Sequence, residues 1–494
     1  MNESSRLGKL APYSNIILAL LALLLGVLLG LFIVTPALDG FGGPLDRLSD
    51  LLLPVMGAAV LAMVGLFSPL AALLLWLLLA PYSSHIPLDI SLGAGIPDLS
   101  LTRFMAGFLL LLVLAQAARG RLKLRPLTWA DLAYGVFLFA LGLGAFQSQL
   151  GTTFAIQSIL DAYLVPFLAL YLARQIVRDL GNLRWYTVAL TIVGVSFAFL
   201  IIREQITGEV LLHTKESAAY SRSFRKIVSL MGNAAPMGVS TALTLPLALV
   251  ALVQAWYARE LPPRRRYLAV ILLALATGII ALAVYMTYNR ASWLGMALTV
   301  LALLLLRPRS RRVLLPVLLV AAIGGLVFWQ AVASSAAVNE RLLEDASLGY
   351  RATAANIAFE IARSDPIFGV GYFNFGPIAK ASYGWDPLGQ FGVFPPAHNT
   401  FLFLLVSGGL FALLAYLAWM ALVAWGGIGR YALTARIDRP EVAMGKRDAL
   451  AAGAAVYLTY FLASATFDNA EAIIMNLIFY MTLGAIWGAT ESMK

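Results

Sequence analysis

Long apolar stretches recur along almost the whole of this chain, and they decide what it can fold into. They lie at about 15–34, 51–66, 69–80, 103–118, 130–146, 154–175, 185–202, 236–257, 268–286, 291–306, 313–331, 398–425, 449–466 and 470–489. Roughly 20 apolar residues carry a helix across a bilayer, so this pattern predicts an all-α polytopic membrane protein with about 12–14 transmembrane helices. The pair inside 51–80, split only by Ser68-Pro69, leaves one kinked helix or a re-entrant pair open as alternatives. Composition agrees: 61% of the residues are apolar and 12% are charged, about half the roughly 25% charge of a soluble domain. That excludes an ordinary soluble enzyme, and the apolar richness excludes disorder. We therefore expect one integral membrane domain over 1–494.

Charge placement sets the expected topology. With a cytoplasmic N-terminus and fourteen crossings, the inner segments include 119–129, 174–184, 258–267, 307–312 and 426–448. With the termini they hold 23 of the 35 Lys and Arg residues, the asymmetry of the positive-inside rule. Two long loops, 203–235 and 332–397, then lie outside. The first apolar stretch follows Arg6 and Lys9 as a signal peptide would. Its length instead predicts an uncleaved anchor.

The chain has no cysteine and only His85, His213 and His398. Disulfides, thiolate metal sites and a cysteine nucleophile are excluded. The loop 332–397 is the one extramembrane piece large enough to fold by itself. Within it, 351–363 places Ala354, Ile357, Ala358 and Ile361 on one helical face, with Thr353, Asn356, Glu360 and Arg363 opposite. Ser364-Asp365-Pro366 ends this helix, which is expected to lie on the membrane or over a cavity.

All three histidines fall outside in this topology, as do Arg203, Arg222, Arg225, Lys226, Arg290 and Arg351. Outer cations run against the general bias. Guanidinium groups bind phosphate oxygens bidentately and stay charged, so a phosphate or diphosphate would explain them. Solvated loop charges or contacts with anionic headgroups would explain them too. Arg290 follows the run ending at Met286 by only three residues, which puts it at a helix end. His398 opens a long apolar helix, where a neutral imidazole could take a proton from a hydroxyl or serve only in capping and packing. Asn399 or Thr400 could be the cap. Asp161 is an intramembrane acid, a partner for a cation or one half of a structural pair. Asp468 and Glu471 stand at the outer end of the last helix. Gly369-Val370-Gly371 lacks a preceding strand, so it reads as a turn using glycine's backbone freedom and not as a nucleotide fingerprint.

Three stretches together carry a resemblance: Tyr288-Asn289-Arg290-Ala291-Ser292-Trp293-Leu294-Gly295; Arg351 through Phe375, with Asp365-Pro366-Ile367-Phe368-Gly369-Val370-Gly371; and His398-Asn399-Thr400-Phe401-Leu402 followed by Ser407-Gly408-Gly409-Leu410. In order and spacing they resemble the motif region, here 290–410, of the O-antigen ligase and polymerase superfamily of bacterial envelope glycosyltransferases. The chain departs from the pattern at Tyr288-Asn289, where small polar residues are usual, and at Ser407, where many members carry an acid.

The resemblance implies a GT-C-like helical membrane fold in the inner membrane, both termini cytoplasmic and the loops 203–235 and 332–397 periplasmic. It implies a periplasm-facing glycosyltransferase of lipopolysaccharide or polysaccharide biosynthesis, without metal or other cofactor. The donor would be an undecaprenyl-diphosphate-linked glycan and the acceptor a hydroxyl of a glycan or lipid, among membrane lipids and with no nucleic acid. Carried over, His398 is the base or its positioning partner and Arg290 binds the diphosphate. Arg225 or Arg222, before Met231-Gly232-Asn233, is a second phosphate ligand. Arg351, Arg203, Asn399 and Asp161 complete the expected substrate-binding set. Ligase and polymerase share this donor chemistry, and we lean narrowly to the ligase. A lipid-linked glycan transporter or flippase is the alternative from another class, disfavoured by the lack of internal repeats.

Overall fold

The computed structural model describes residues 61–85, 99–212, 229–258, 260–307, 310–316, 319, 345–387, 396–437 and 445–491. It is an all-helical polytopic membrane protein. Among the described residues eight helices are long and apolar enough to cross a bilayer, and three shorter apolar helices accompany them. They answer to every expected segment except 15–34, the first part of 51–66 and most of 313–331, which lie outside the described residues. The chain divides into two compact units, Met1–Lys123 and Leu124–Lys494.

In the first unit residues 61–67 are helical. Ser68 is extended and its hydroxyl accepts the Ala71 N–H, which starts α1 (Pro69–Leu79) with proline at its first position. Ser68-Pro69 therefore separates two helical pieces. A 3₁₀ turn, Ala80–His85, follows, and α2 (Leu101–Ala118), capped by Ser100, packs against α1.

The second unit holds α3 (Trp129–Ala145), α4 (Thr152–Ile176), α5 (Leu180–Thr207), α6 (Ala234–Tyr257), α7 (Pro263–Met286) and α8 (Arg290–Leu306). Then come α9 (Asp345–Ser364), α10 (Phe375–Tyr383), α11 (Thr400–Ile437), α12 (Lys446–Thr466) and α13 (Ile473–Thr490). The most enclosed span is α6, packed among α5, α7, α8, α12 and α13. The most exposed is α7, which turns Leu268, Ile271, Leu272 and Leu275 outward. Burying apolar surface does not drive helices together in lipid, so close backbone packing must do so. Gly484 and Gly488 of α13 supply it: a Cβ at either would strike the α4 backbone at Leu170, Arg174 or Val177.

One end of this unit is tied by charge. Arg174 is fully buried and its guanidinium donates to both carboxylate oxygens of Glu491, at 2.9 and 3.1 Å, and to Asp131 at 3.3 Å. Arg125 donates to the Arg174 carbonyl at 3.0 Å, and its backbone exchanges two bonds with the Gln175 amide. At the same end Arg307 pairs with Asp448. Segments that charge bias assigned to one side of the membrane are thus gathered together.

Two helices depart from regularity near the other end. In α4, Leu160–Leu164 is a π turn. Pro166 has no N–H to give the Ala162 carbonyl, which instead accepts from the Asn476 amide at 2.8 Å. In α11 the break is larger. Gly409 takes φ 66° and ψ −166°, a conformation essentially reserved for glycine. The freed groups are bonded by the segment after α9: Val370 N–H donates to the Val406 carbonyl at 2.8 Å. Leu410 N–H donates to Pro366 O (2.8 Å) and Phe411 N–H to Ile367 O (3.1 Å). Gly369, at φ 74°, lies so close to the 406–409 backbone that a Cβ would not fit. The expected glycine turn is real, and it stitches α9 to α11. The unbroken apolar run 398–425 predicts one continuous helix, and the break at Gly409 corrects that expectation.

Candidate functional site

The unit's other end gathers the starts of α6, α8, α11 and α13 with the end of α12. Three of these helices begin with one device. A left-handed residue turns the incoming chain, and an asparagine then caps the helix. The pairs are Gly232-Asn233, Tyr288-Asn289 and His398-Asn399, with φ of 66°, 49° and 51° at the first member. Tyr288 and His398 are non-glycine residues in a region that L-residues seldom occupy, an outlier that directs attention to function.

In the α7–α8 turn nearly every motif residue has a structural duty. The Asn289 side-chain oxygen accepts from the Ser292 N–H (2.9 Å) and hydroxyl (3.0 Å). Trp293 donates its indole N–H to the Tyr285 carbonyl at 3.0 Å and stacks on that ring. Gly295 receives α12, where the Thr459 hydroxyl donates to its carbonyl at 3.2 Å. Burial, reinforced by Tyr285, pushes the Tyr288 hydroxyl above its ordinary range, so it adds no negative charge here. Arg290, the first residue of α8, is exposed. It stands where the helix dipole and unsatisfied amides already favour an anion.

At the start of α11, Asn399 is the cap, accepting from the N–H groups of Phe401 (2.9 Å) and Leu402 (3.2 Å). Its amide donates to the Ala465 carbonyl at 2.9 Å, binding α11 to the end of α12. Thr400 is fully buried; its hydroxyl donates to the Phe467 carbonyl (2.8 Å) and accepts the Asn469 N–H (3.0 Å). Behind it runs a buried polar chain. Asn469 donates to Tyr460 and Ser464, Tyr460 donates to Asn476, and Asn476 reaches the π turn. Asp468, almost fully buried, accepts the Ala470 N–H.

His398 itself is half-buried just outside α11 and two residues before the helix, so it does not open the helix as the hydropathy suggested. Its imidazole meets the Tyr350 ring edge-to-face, with centroids 5.1 Å apart. Tyr350 belongs to α9, whose Ala354, Ile357, Ala358 and Ile361 are buried, while Thr353, Asn356, Glu360 and Arg363 are exposed, as the periodicity predicted. The helix ends at Ser364.

The other expected residues are placed as follows. Arg351 is exposed beside Tyr350. Asn399 is at the site, with its amide engaged in capping and in holding α12. Asp161 is half-buried in the π turn of α4. Arg203, near the end of α5, donates to the carbonyl and carboxylate of Glu209 at 3.2 and 3.3 Å, a local loop pairing. Arg222 and Arg225 lie outside the described residues, as do Lys226, His213, the side chain of Glu471 and the N-terminal anchor. His85 sits in the other unit beside Ser84. Asn469, Asn476 and Tyr350 also belong to this end and are not among the residues expected from the sequence. Two asparagines within or beside an apolar run were the available signal for the first pair. Nothing local marks Tyr350. Among the described residues no group of three or more His, Asp or Glu side chains could hold a metal ion.

Among curated proteins none matches the chain. Residues 275–417 match the family model described as O-antigen ligase. That segment runs from within α7 through α8, α9 and α10 into α11, and it encloses all three motif stretches. Over that segment the chain is similar to the O-antigen ligase family.

Proposed function

We propose that the protein is a glycosyltransferase that moves a glycan from an undecaprenyl-diphosphate-linked donor to an acceptor hydroxyl, facing the periplasm from the inner membrane. The reading is supported by one observation above the rest: Arg290 begins α8 and His398 immediately precedes the cap of α11, and both helices are fastened to α12, at Gly295–Thr459 and Asn399–Ala465. A cation and a potential base are thereby held on one rigid partner. Arg290, with Arg222 or Arg225, holds the diphosphate and stabilises it as it leaves. His398 takes the proton from the acceptor oxygen as that oxygen attacks the anomeric carbon. The new glycosidic bond forms as the bond to diphosphate breaks, and attack from the opposite face inverts the centre. Arg351, Asn399, Asp161 and Arg203 complete the proposed substrate-binding set.

The ligase reading, with a lipid acceptor, is preferred because the third motif resembles that family's signature most. A polymerase would use a second lipid-linked repeat as acceptor. Incubating reconstituted protein with the diphosphate-linked repeat alone separates them. A ladder of lengths identifies a polymerase, and transfer that appears only with an added lipid acceptor identifies a ligase. No transfer with any acceptor, together with donor movement across the bilayer, would favour a flippase.

Arg290→Lys keeps the charge but loses the bidentate fork. Transfer is expected to fall about 10–100-fold, the loss of one charged hydrogen bond of roughly 1.5–3 kcal/mol. Unchanged kcat/KM in this variant would remove Arg290 from diphosphate binding. The arginines supply the charge stabilisation in this scheme, so activity in excess chelator is expected to equal the untreated rate. A loss restored by Mg²⁺ or Mn²⁺ would refute a metal-independent mechanism.

A further inference from the structure

We propose that Tyr350 is a positioning residue for His398, holding the imidazole in one orientation for proton transfer. The inference rests on the transfer reading above and extends it to α9. The His398 backbone is left-handed, so its side chain leaves the chain in a direction that ordinary helical or extended packing does not stabilise. What meets it there is the Tyr350 ring, edge-to-face at 5.1 Å, an arrangement aromatic pairs favour. Tyr350 is braced in turn by Trp385, with centroids 4.9 Å apart, and Trp385 by Phe375 at 6.0 Å. The Trp385 backbone is fixed, because its main-chain N–H donates to the Ala379 carbonyl at 3.1 Å and the Lys380–Asp386 pair, 2.6 Å, closes the same turn.

The support reaches α11 by a second route. The stitch of 366–370 into the α11 break and the buried face of α9 fix that helix, and so Tyr350, against the helix that His398 precedes. His398 is therefore covered on one side by a rigid aromatic wall. It is half-buried, so part of its surface stays accessible.

The test is a double-mutant cycle in the reconstituted full chain, with the undecaprenyl-diphosphate-linked glycan as donor and the acceptor that supports transfer. Tyr350→Ala is expected to lower kcat about 10–100-fold, the scale of a roughly 1 Å misplacement, with donor KM within about twofold. Tyr350→Phe keeps the ring and is expected to stay within about threefold of wild type. Adding Tyr350→Ala to His398→Ala should cost nothing more. Should Tyr350→Ala not fold, Tyr350→Leu, which fills the space without a ring, takes its place. A readout independent of activity accompanies the cycle. The chain has three histidines, so the ¹³C-labelled imidazole resonance that disappears in His398→Ala is assignable. It should shift in Tyr350→Ala and stay in Tyr350→Phe.

A Tyr350→Ala loss confined to KM, or one that adds to the His398→Ala loss, overturns the proposal. So does a normal rate in Tyr350→Ala when His398→Ala is dead, which leaves the transfer reading standing. Full activity in His398→Ala overturns both.

Discussion

Replacing His398 with alanine is expected to lower transfer by roughly 10²–10⁴-fold, the usual contribution of a general base, while the protein stays folded. The two outcomes separate because the residues around His398 divide the work. Asn399 caps α11 and ties it to α12, and Thr400 joins it to the turn before α13. The histidine side chain is half-buried and meets the Tyr350 ring. Its backbone conformation supplies a sharper control. At φ 51° glycine is at least as comfortable as histidine, so His398→Gly should match His398→Ala in inactivity and lose no thermal stability. Product quantified on gels at matched protein level, together with the unfolding midpoint in detergent, checks both variants. Near-normal transfer in His398→Gly would show that the imidazole is not the base.

Arg174→Ala should show the opposite profile, a loss of fold with little direct effect on the chemistry at the far end. Its guanidinium is the shared partner of Asp131 and Glu491, on α3 and just beyond α13. Removing it takes the guanidinium away from the buried Asp131 carboxylate, while the half-buried Glu491 keeps Arg125 at 3.6 Å. Breaking a buried pair from one side costs about 3–5 kcal/mol, a large part of any protein's stability. The expected signs are poor recovery of folded protein and a lower unfolding midpoint, with near-normal transfer per folded molecule. Neutralising the buried acid alongside, as Arg174→Met with Asp131→Asn, should recover much of the loss, because Glu491 keeps its pairing with Arg125 at 3.6 Å. An Arg174→Ala protein that melts with wild type would show that the cluster contributes nothing to stability.

These expectations differ in how far the sequence foretold them. The helices, the amphipathic α9 and the motif ends were legible because each depends on residues near one another. Apolar length, a 3.6-residue period, and Asn or Ser before an apolar run are local signals. The break in α11 was not legible. Ser407-Gly408-Gly409-Leu410 sits inside an unbroken apolar run, and what opens the helix there is backbone arriving from 366–370. The π turn escaped notice for the same reason, since it is completed by Asn476, far along the chain. Arg174 could be read as a charge at a helix end but not as the centre of a cluster, because its acids lie 43 and 317 residues away. For the site, residue types and order pointed to His398 and Arg290. The cap at Asn399 was one of two options, and Tyr350 carried no signal, because its role depends on where α9 is delivered.

The stitch between 366–370 and 406–411 also dictates an order of events while the protein is being made. The ribosome releases the second motif before α11 exists, so the Pro366 and Ile367 carbonyls and the Val370 N–H must wait for partners that are not yet synthesised. The Val406 carbonyl and the Leu410 N–H lie four residues apart, the spacing of an ordinary helical bond, so the open form of α11 needs the 366–370 backbone to hold it open. The break at Gly409 and the turn at 366–370 therefore require each other, and neither reaches its final form alone.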